Sequence, residues 1–180
     1  MSVPRNLLGN ILGNLLAMLF LKSAPQDLPY SLRLTVQLVI LYVFSGLVVL
    51  QSTLQPDDLY FGILLGLLIQ FVFAYTVLAA LNHNSRFLQT LSAMLGVGIL
   101  FNFLSWPVFS MLADEAAPDS MKTTMSLLFL MLMSWEVLVK AHIFKHALEM
   151  KMFGSLALSF SLFFISITLS QLLLPAAAGS

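Results

Sequence analysis

The chain contains no cysteine, and only 9% of its 180 residues are charged. The first absence excludes disulfides, thiolate metal centres and cysteine nucleophiles together. The second excludes an ordinary water-facing surface, since about a quarter of the residues of a soluble domain are charged. The eight Lys and Arg balance the eight Asp and Glu, and they form no clustered basic face of the kind that grips nucleic acid. Enzyme signatures are missing too: there is no GxSxG elbow, no Walker loop and no acid-rich metal cluster. No internal repeat places broken helices in matching positions, which weighs against a secondary transporter. The expectation is a non-enzymatic protein without a cofactor.

Long apolar runs fill the chain instead. Hydrophobic residues make up 59% of it, with a mean hydropathy of +0.96. Five stretches, at about 34–50, 59–81, 87–113, 123–144 and 152–174, are long enough to cross a hydrocarbon core of ~30 Å. The predicted fold is all-α: a polytopic transmembrane bundle of five spans, occupying 32–174. Ahead of it, 1–31 reads as a short interfacial helix and a proline-containing connector, and 175–180 as a loose tail.

The apolar run 7–21 falls short of the ~20 residues a span requires, so an interfacial helix is expected there. A sixth span and a signal peptide are the alternatives; Lys22-Ser23-Ala24-Pro25 is a poor cleavage site. Gly9, Gly13 and Ala17 recur every fourth residue with Asn10 and Asn14 beside them. Such a small, polar stripe predicts close packing against another helix. Pro25 and Pro29 break the helix afterwards, and Ser31 is placed to cap the next one.

Basic residues set the orientation. Arg5, Lys22, Arg33, Arg86, Lys140, Lys145 and Lys151 all fall on one side of the five spans, and only Lys122 on the other. Asp57, Asp58, Asp114, Glu115 and Asp119 occupy the opposite loops. The positive-inside rule then places the N-terminus in the cytoplasm and the C-terminus across the membrane.

The fourth span carries the chain's one acid set well inside an apolar run. Glu136 and Lys140 stand four apart in the favourable order for a helical pair. Lys140 can reach the headgroups, while Glu136 sits about 9–10 Å deeper than the boundary at 1.5 Å per residue. A charge at that depth costs a few kcal/mol. Either the pair is neutralised internally and fixes the helix's depth and rotation, or the carboxylate faces the bundle interior and takes a proton, a cation or a partner helix. Trp135 beside it is an interfacial residue if lipid-exposed and a packing residue if buried. His142 and His146 share a helix face, but a third strong ligand is missing, so no metal is expected. They read instead as a basic cluster against anionic lipid heads. Candidate binding residues are thus Glu136, Lys140, Trp135, His142 and His146. The lines Gly62–Gly66–Gln70–Ala74 and Ser155–Ser159–Ser166–Ser170 predict faces turned toward protein. Asn102, Ser105 and Pro107 predict a kink with freed carbonyls.

Five spans with a cytoplasmic N-terminus resemble the Yip family of small membrane proteins. The segments WEVLVKAHIFKHALE and PQDLPYS are similar to those of a proteobacterial inner-membrane branch related to that family. The resemblance implies a bacterial inner-membrane bundle with a periplasmic C-terminus that works through lateral contacts. Its expected partners are membrane lipids and other integral membrane proteins, or a second copy of itself. The family's small-GTPase binding through an N-terminal region is not implied, because that region here is about thirty residues long and mostly apolar. A small transporter or channel component with Glu136 as proton or cation site is the alternative.

Overall fold

The computed structural model describes residues 5–53 and 59–173, with side chains from 9–51 and 60–173. Six α-helices follow one another: α1 (Arg5–Leu19), α2 (Leu32–Thr53), α3 (Leu59–Ala80), α4 (Phe87–Ala113), α5 (Asp119–Ala147) and α6 (Met152–Leu173). Single 3-10 turns at Pro25–Asp27 and Asn84–Arg86 complete the connections, and no strand occurs among the described residues. Helices α2 to α6 are each long and apolar enough to cross a membrane. This is the expected five-span bundle. The tail at 175–180 and the aspartates at 57 and 58 lie outside the described residues.

The bundle is organised around α4. Every residue from 90 to 98 is buried, which in a helix means neighbours on all sides. Helices α2 and α5 flank α4, α6 packs on α5, and α3 lies against α2, α4 and α6. Helix α1 is 15 residues long, about 22 Å at 1.5 Å per residue and too short to span. It rests on α4 and α5.

Local chemistry fixes the helix ends. Ser31 Oγ accepts a hydrogen bond from the Leu34 amide at 3.3 Å and starts α2, as its position predicts. Helices α1, α3 and α5 all stop on a non-glycine residue in the left-handed region: Leu21 (φ 58°), Asn82 (φ 59°) and Glu149 (φ 54°). In each, the next amide reaches back over the turn: Lys22 to Ala17, His83 to Leu78 and Met150 to Lys145. That is the Schellman arrangement, which satisfies carbonyls that the helix end leaves unpaired. These turns gather the connector 22–31, the α3–α4 turn and the α5–α6 turn at one end of the bundle, called here the connector end. Helix α4 continues unbroken through Pro107 to Ala113.

One sequence expectation is reversed. The glycine stripe of α1 faces outward: Gly9 and Gly13 have no heavy atom within 4 Å of where a Cβ would stand. The inward face is Ile11, Leu15, Met18 and Leu19, all buried. Leucines outnumber the small residues there and bury more apolar area per turn. The glycines that permit close approach belong to α4. A Cβ on Gly96 would lie 2.5 Å from a Leu15 methyl, and one on Gly98 would lie 2.7 Å from the Tyr42 ring.

These contacts predict opposite outcomes at two glycines. Gly98→Val should destabilise the bundle by about 1–3 kcal/mol through overpacking against Tyr42. Gly66→Ala, with nothing within 4 Å, should be stabilising by up to about 1 kcal/mol through helix propensity. Reversible unfolding in mixed detergent micelles reads both signs.

Candidate functional site: a polar core around Glu136 and Lys140

Helix α5 has no break from Asp119 to Ala147, so Glu136 and Lys140 stack one turn apart. Glu136 Oε1 lies 2.7 Å from Lys140 Nζ, and each side chain is 18% exposed. The pair is therefore largely removed from solvent, where an ion pair holds only if its geometry is good and its remaining polar atoms have partners. Polar groups on neighbouring helices stand at similar depth. At 1.5 Å per residue, Tyr42, Gln70 and Glu136 each lie about 15–17 Å from the connector end of their helices. The Tyr42 ring is within electrostatic reach of both charges.

Most of the other polar groups in this region close on one another. Asn102 Nδ2 donates to Ser45 Oγ at 2.9 Å, and Ser45 Oγ donates to the Tyr42 carbonyl at 3.0 Å. Ser105 Oγ donates to the Phe101 carbonyl at 2.8 Å, and Ser159 Oγ to the Val137 carbonyl at 2.7 Å. Nearer the connector end, the Thr35 and Ser92 hydroxyls meet at 2.8 Å. Serines 155 and 159 are buried, as the serine line predicts. In the α3 line Gln70 and Ala74 are buried as well, whereas Gly62 and Gly66 wall a cavity. Among the described residues, the Gln70 Nε2 is the buried side-chain nitrogen or oxygen without a partner.

Two cavities border the acid. One of about 280 Å³ lies between α2, α3, α4 and α5 and is faced by Tyr42, Asn102, Ser105 and Glu136. A smaller one of about 80 Å³ lies between α5 and α6, with Glu136, Lys140, Ser159 and Ser166 on its walls. Both are otherwise apolar.

The other candidate residues serve α1 and the connector. Trp135 is half-buried; its Nε1 donates to the Leu19 carbonyl at 2.9 Å, and its ring meets Phe101 edge-on at 5.6 Å. It therefore ties the last turn of α1 to α5. His142 departs from the expected lipid-facing cluster. Its residue is only 7% exposed, and its Nε2 stands 3.0 Å from the Ser23 carbonyl, which accepts. The ring of His146 packs against it at 4.5 Å. The reason is the connector, which folds back over this end of α5 and offers a carbonyl that needs a donor. Glu136 faces the core and His142 the connector, so the two do not converge. No three His, Cys, Asp or Glu side chains come together as a metal site among the described residues.

A latch at the connector end completes the picture, and sequence reasoning missed it. Arg86 donates from Nη1 to the Ala147 carbonyl at 3.1 Å and forms an ion pair with Glu149. Gln26 Nε2 donates to the His146 carbonyl at 2.6 Å, and Gln89 Nε2 to the Leu28 carbonyl at 2.8 Å. The Asp27 carboxylate accepts from the Ala24 amide and the Ser23 hydroxyl, both at 2.7 Å. The only sequence signal was that these polar residues stand at the ends of apolar runs. Their pairing spans up to 120 residues of chain, which no local pattern reveals.

The fold and composition define a helical, multi-pass membrane protein with five spans. No family model, no curated protein and no solved structure matches the chain.

The latch carries a pH dependence. The Ala24 amide, then the Ser23 hydroxyl, hold the Asp27 carboxyl below its ordinary range. The Arg86 guanidinium does the same for Glu149. A carboxylate depressed in the folded state contributes stability above its unfolded pKa and loses it as pH falls through the folded value. Amide protection in the connector, corrected for intrinsic exchange, should hold at about pH 6 and fall toward about pH 3. Asp27→Asn should flatten that dependence in hydrogen-exchange mass spectrometry.

Proposed function

We propose that this chain is a non-enzymatic accessory or scaffolding subunit of a membrane assembly. It acts by lateral helix contacts with other integral membrane proteins or with a second copy of itself. The observation that carries the proposal is the closure of the polar core. The deep acid is neutralised by a lysine of its own helix at 2.7 Å, while Trp135 binds a backbone carbonyl at the end of α1 and His142 one in the connector. The side chains suited to chemistry thus hold helices together. Much of the outward surface is apolar: Phe44, Phe61, Phe71, Phe160 and Phe164 are all exposed on α2, α3 and α6.

The proposed setting is a bacterial inner membrane, with the connector end in the cytoplasm and the C-terminus in the periplasm. Seven of eight basic residues falling on one side support that orientation. Kinship with the Yip family belongs to the same proposal and rests on the span count and the segments quoted above.

A second reading draws on a specific observation: Glu136 borders cavities on both sides of α5. In that reading it is the proton or cation site of a small transporter or channel component. Vesicles containing the purified chain and a pH-sensitive dye separate the two. The scaffold reading predicts that an imposed gradient decays as in empty vesicles, with Glu136→Gln unchanged, and that a photo-crosslinker at Phe71 or Phe164 traps discrete protein adducts in native membranes. Proton entry that depends on Glu136 would replace it with the second reading.

A further inference from the structure

A further groove in the bundle is unconnected with the ion pair. It lies between α1, α2 and α4 and has a volume of about 620 Å³, within the range of small-molecule sites, about 300–1,000 Å³. Ile11, Leu15, Leu34, Leu41 and Ile99 line it, with Gln37 as its amide. An apolar groove of this kind does not hold water, because water there finds too few hydrogen-bond partners. In a membrane-spanning bundle the apolar molecules at hand to fill such a groove are the hydrocarbon chains of the bilayer.

The face of α2 beside the groove grades in a definite order. Arg33, Gln37 and Leu41 stand four residues apart and so share one line along the helix. All three are exposed. From the connector end inward that line reads cation, amide, aliphatic. A glycerophospholipid reads in the same direction as phosphate, ester and acyl chain. Arg33 is also uncommitted: the ion pairs among the described residues are Arg86 with Glu149 and Glu136 with Lys140. A second apolar groove of about 410 Å³, between α3 and α6, supplies a contrast. Neither of its helices carries any charged residue, and none lines it.

We propose that the α1–α2–α4 groove binds one acyl chain of an anionic glycerophospholipid of the surrounding bilayer, with Gln37 at the ester level and the lipid phosphate on Arg33. Guanidinium suits this task because its planar fork meets phosphate oxygens bidentately. Bound in this way, the lipid fills the space beneath α1 that the protein leaves open and holds the short helix at its depth. The inference depends on the membrane-spanning fold, not on the scaffolding role.

The test is native mass spectrometry of the full chain released from nanodiscs of equal phosphatidylglycerol and phosphatidylcholine. The wild-type chain should retain phosphatidylglycerol about five-fold over phosphatidylcholine, the factor expected of one basic residue at a membrane surface. Arg33→Gln should bring that ratio close to one. Lys122→Gln, at the far end of the bundle, should leave it unchanged. Leu41→Trp, at a position 51% exposed and therefore tolerant of bulk, should lower the total lipid retained without altering helicity. Equal retention of the two lipids by the wild type, an undiminished preference in Arg33→Gln, or full occupancy in Leu41→Trp would each overturn the proposal.

Discussion

A carboxylate inside a membrane must be answered, and in this chain the answer is Lys140, one turn along the same helix. The rest of the bundle follows from keeping that pair in place. Hydrocarbon offers no hydrogen bonds, so a lone Glu136 would cost several kcal/mol or force its helix to shift. With the lysine at 2.7 Å the helix carries no net charge at that depth. It can then be enclosed by α4 and α6 rather than drawn toward water. The pair also sets rotation: it turns one face of α5 inward, and Trp135 and His142 must then meet whatever lies on the adjoining faces.

What lies there is the connector. Residues 22–31 fold over the end of the bundle and present carbonyls at Ser23 and Leu28, which pair with His142 and Gln89, while Trp135 donates to the Leu19 carbonyl at the end of α1. Arg86 and Gln26 do the same for the last carbonyls of α5. Helix α1, too short to span, is thereby fixed without a span's worth of lipid contact. Buried polar groups in this molecule are joinery. The carboxylate is engaged in an internal pair, and the histidine and tryptophan are engaged with backbone.

Much of the fold was legible because apolar run length is a strong signal in a membrane. The five spans, the Ser31 cap and the burial of Ser155 and Ser159 were all readable, and so was the pairing of Glu136 with Lys140, from its i, i+4 spacing. The inward face of α1 was not. On a soluble helix the polar side marks the outside, but here lipid and protein are both apolar environments and the contrast fails. Small residues at every fourth position suggested packing at Gly9 and Gly13, whereas the tight contacts fell at Gly96 and Gly98, where Leu15 and Tyr42 arrive from other helices. The partner of His142 was equally hidden, since Ser23 lies 119 residues away in the chain.

The central claim, that Glu136 and Lys140 act as one internal lock, is tested most directly by a double-mutant cycle on unfolding in mixed micelles. Glu136→Met and Lys140→Met singly should each destabilise the bundle by about 3–5 kcal/mol, because each leaves an unanswered charge. Together they should cost far less than the sum, since two apolar side chains need no partner. Additive losses, or single losses within the ~1 kcal/mol typical of a solvent-exposed pair, would contradict the account.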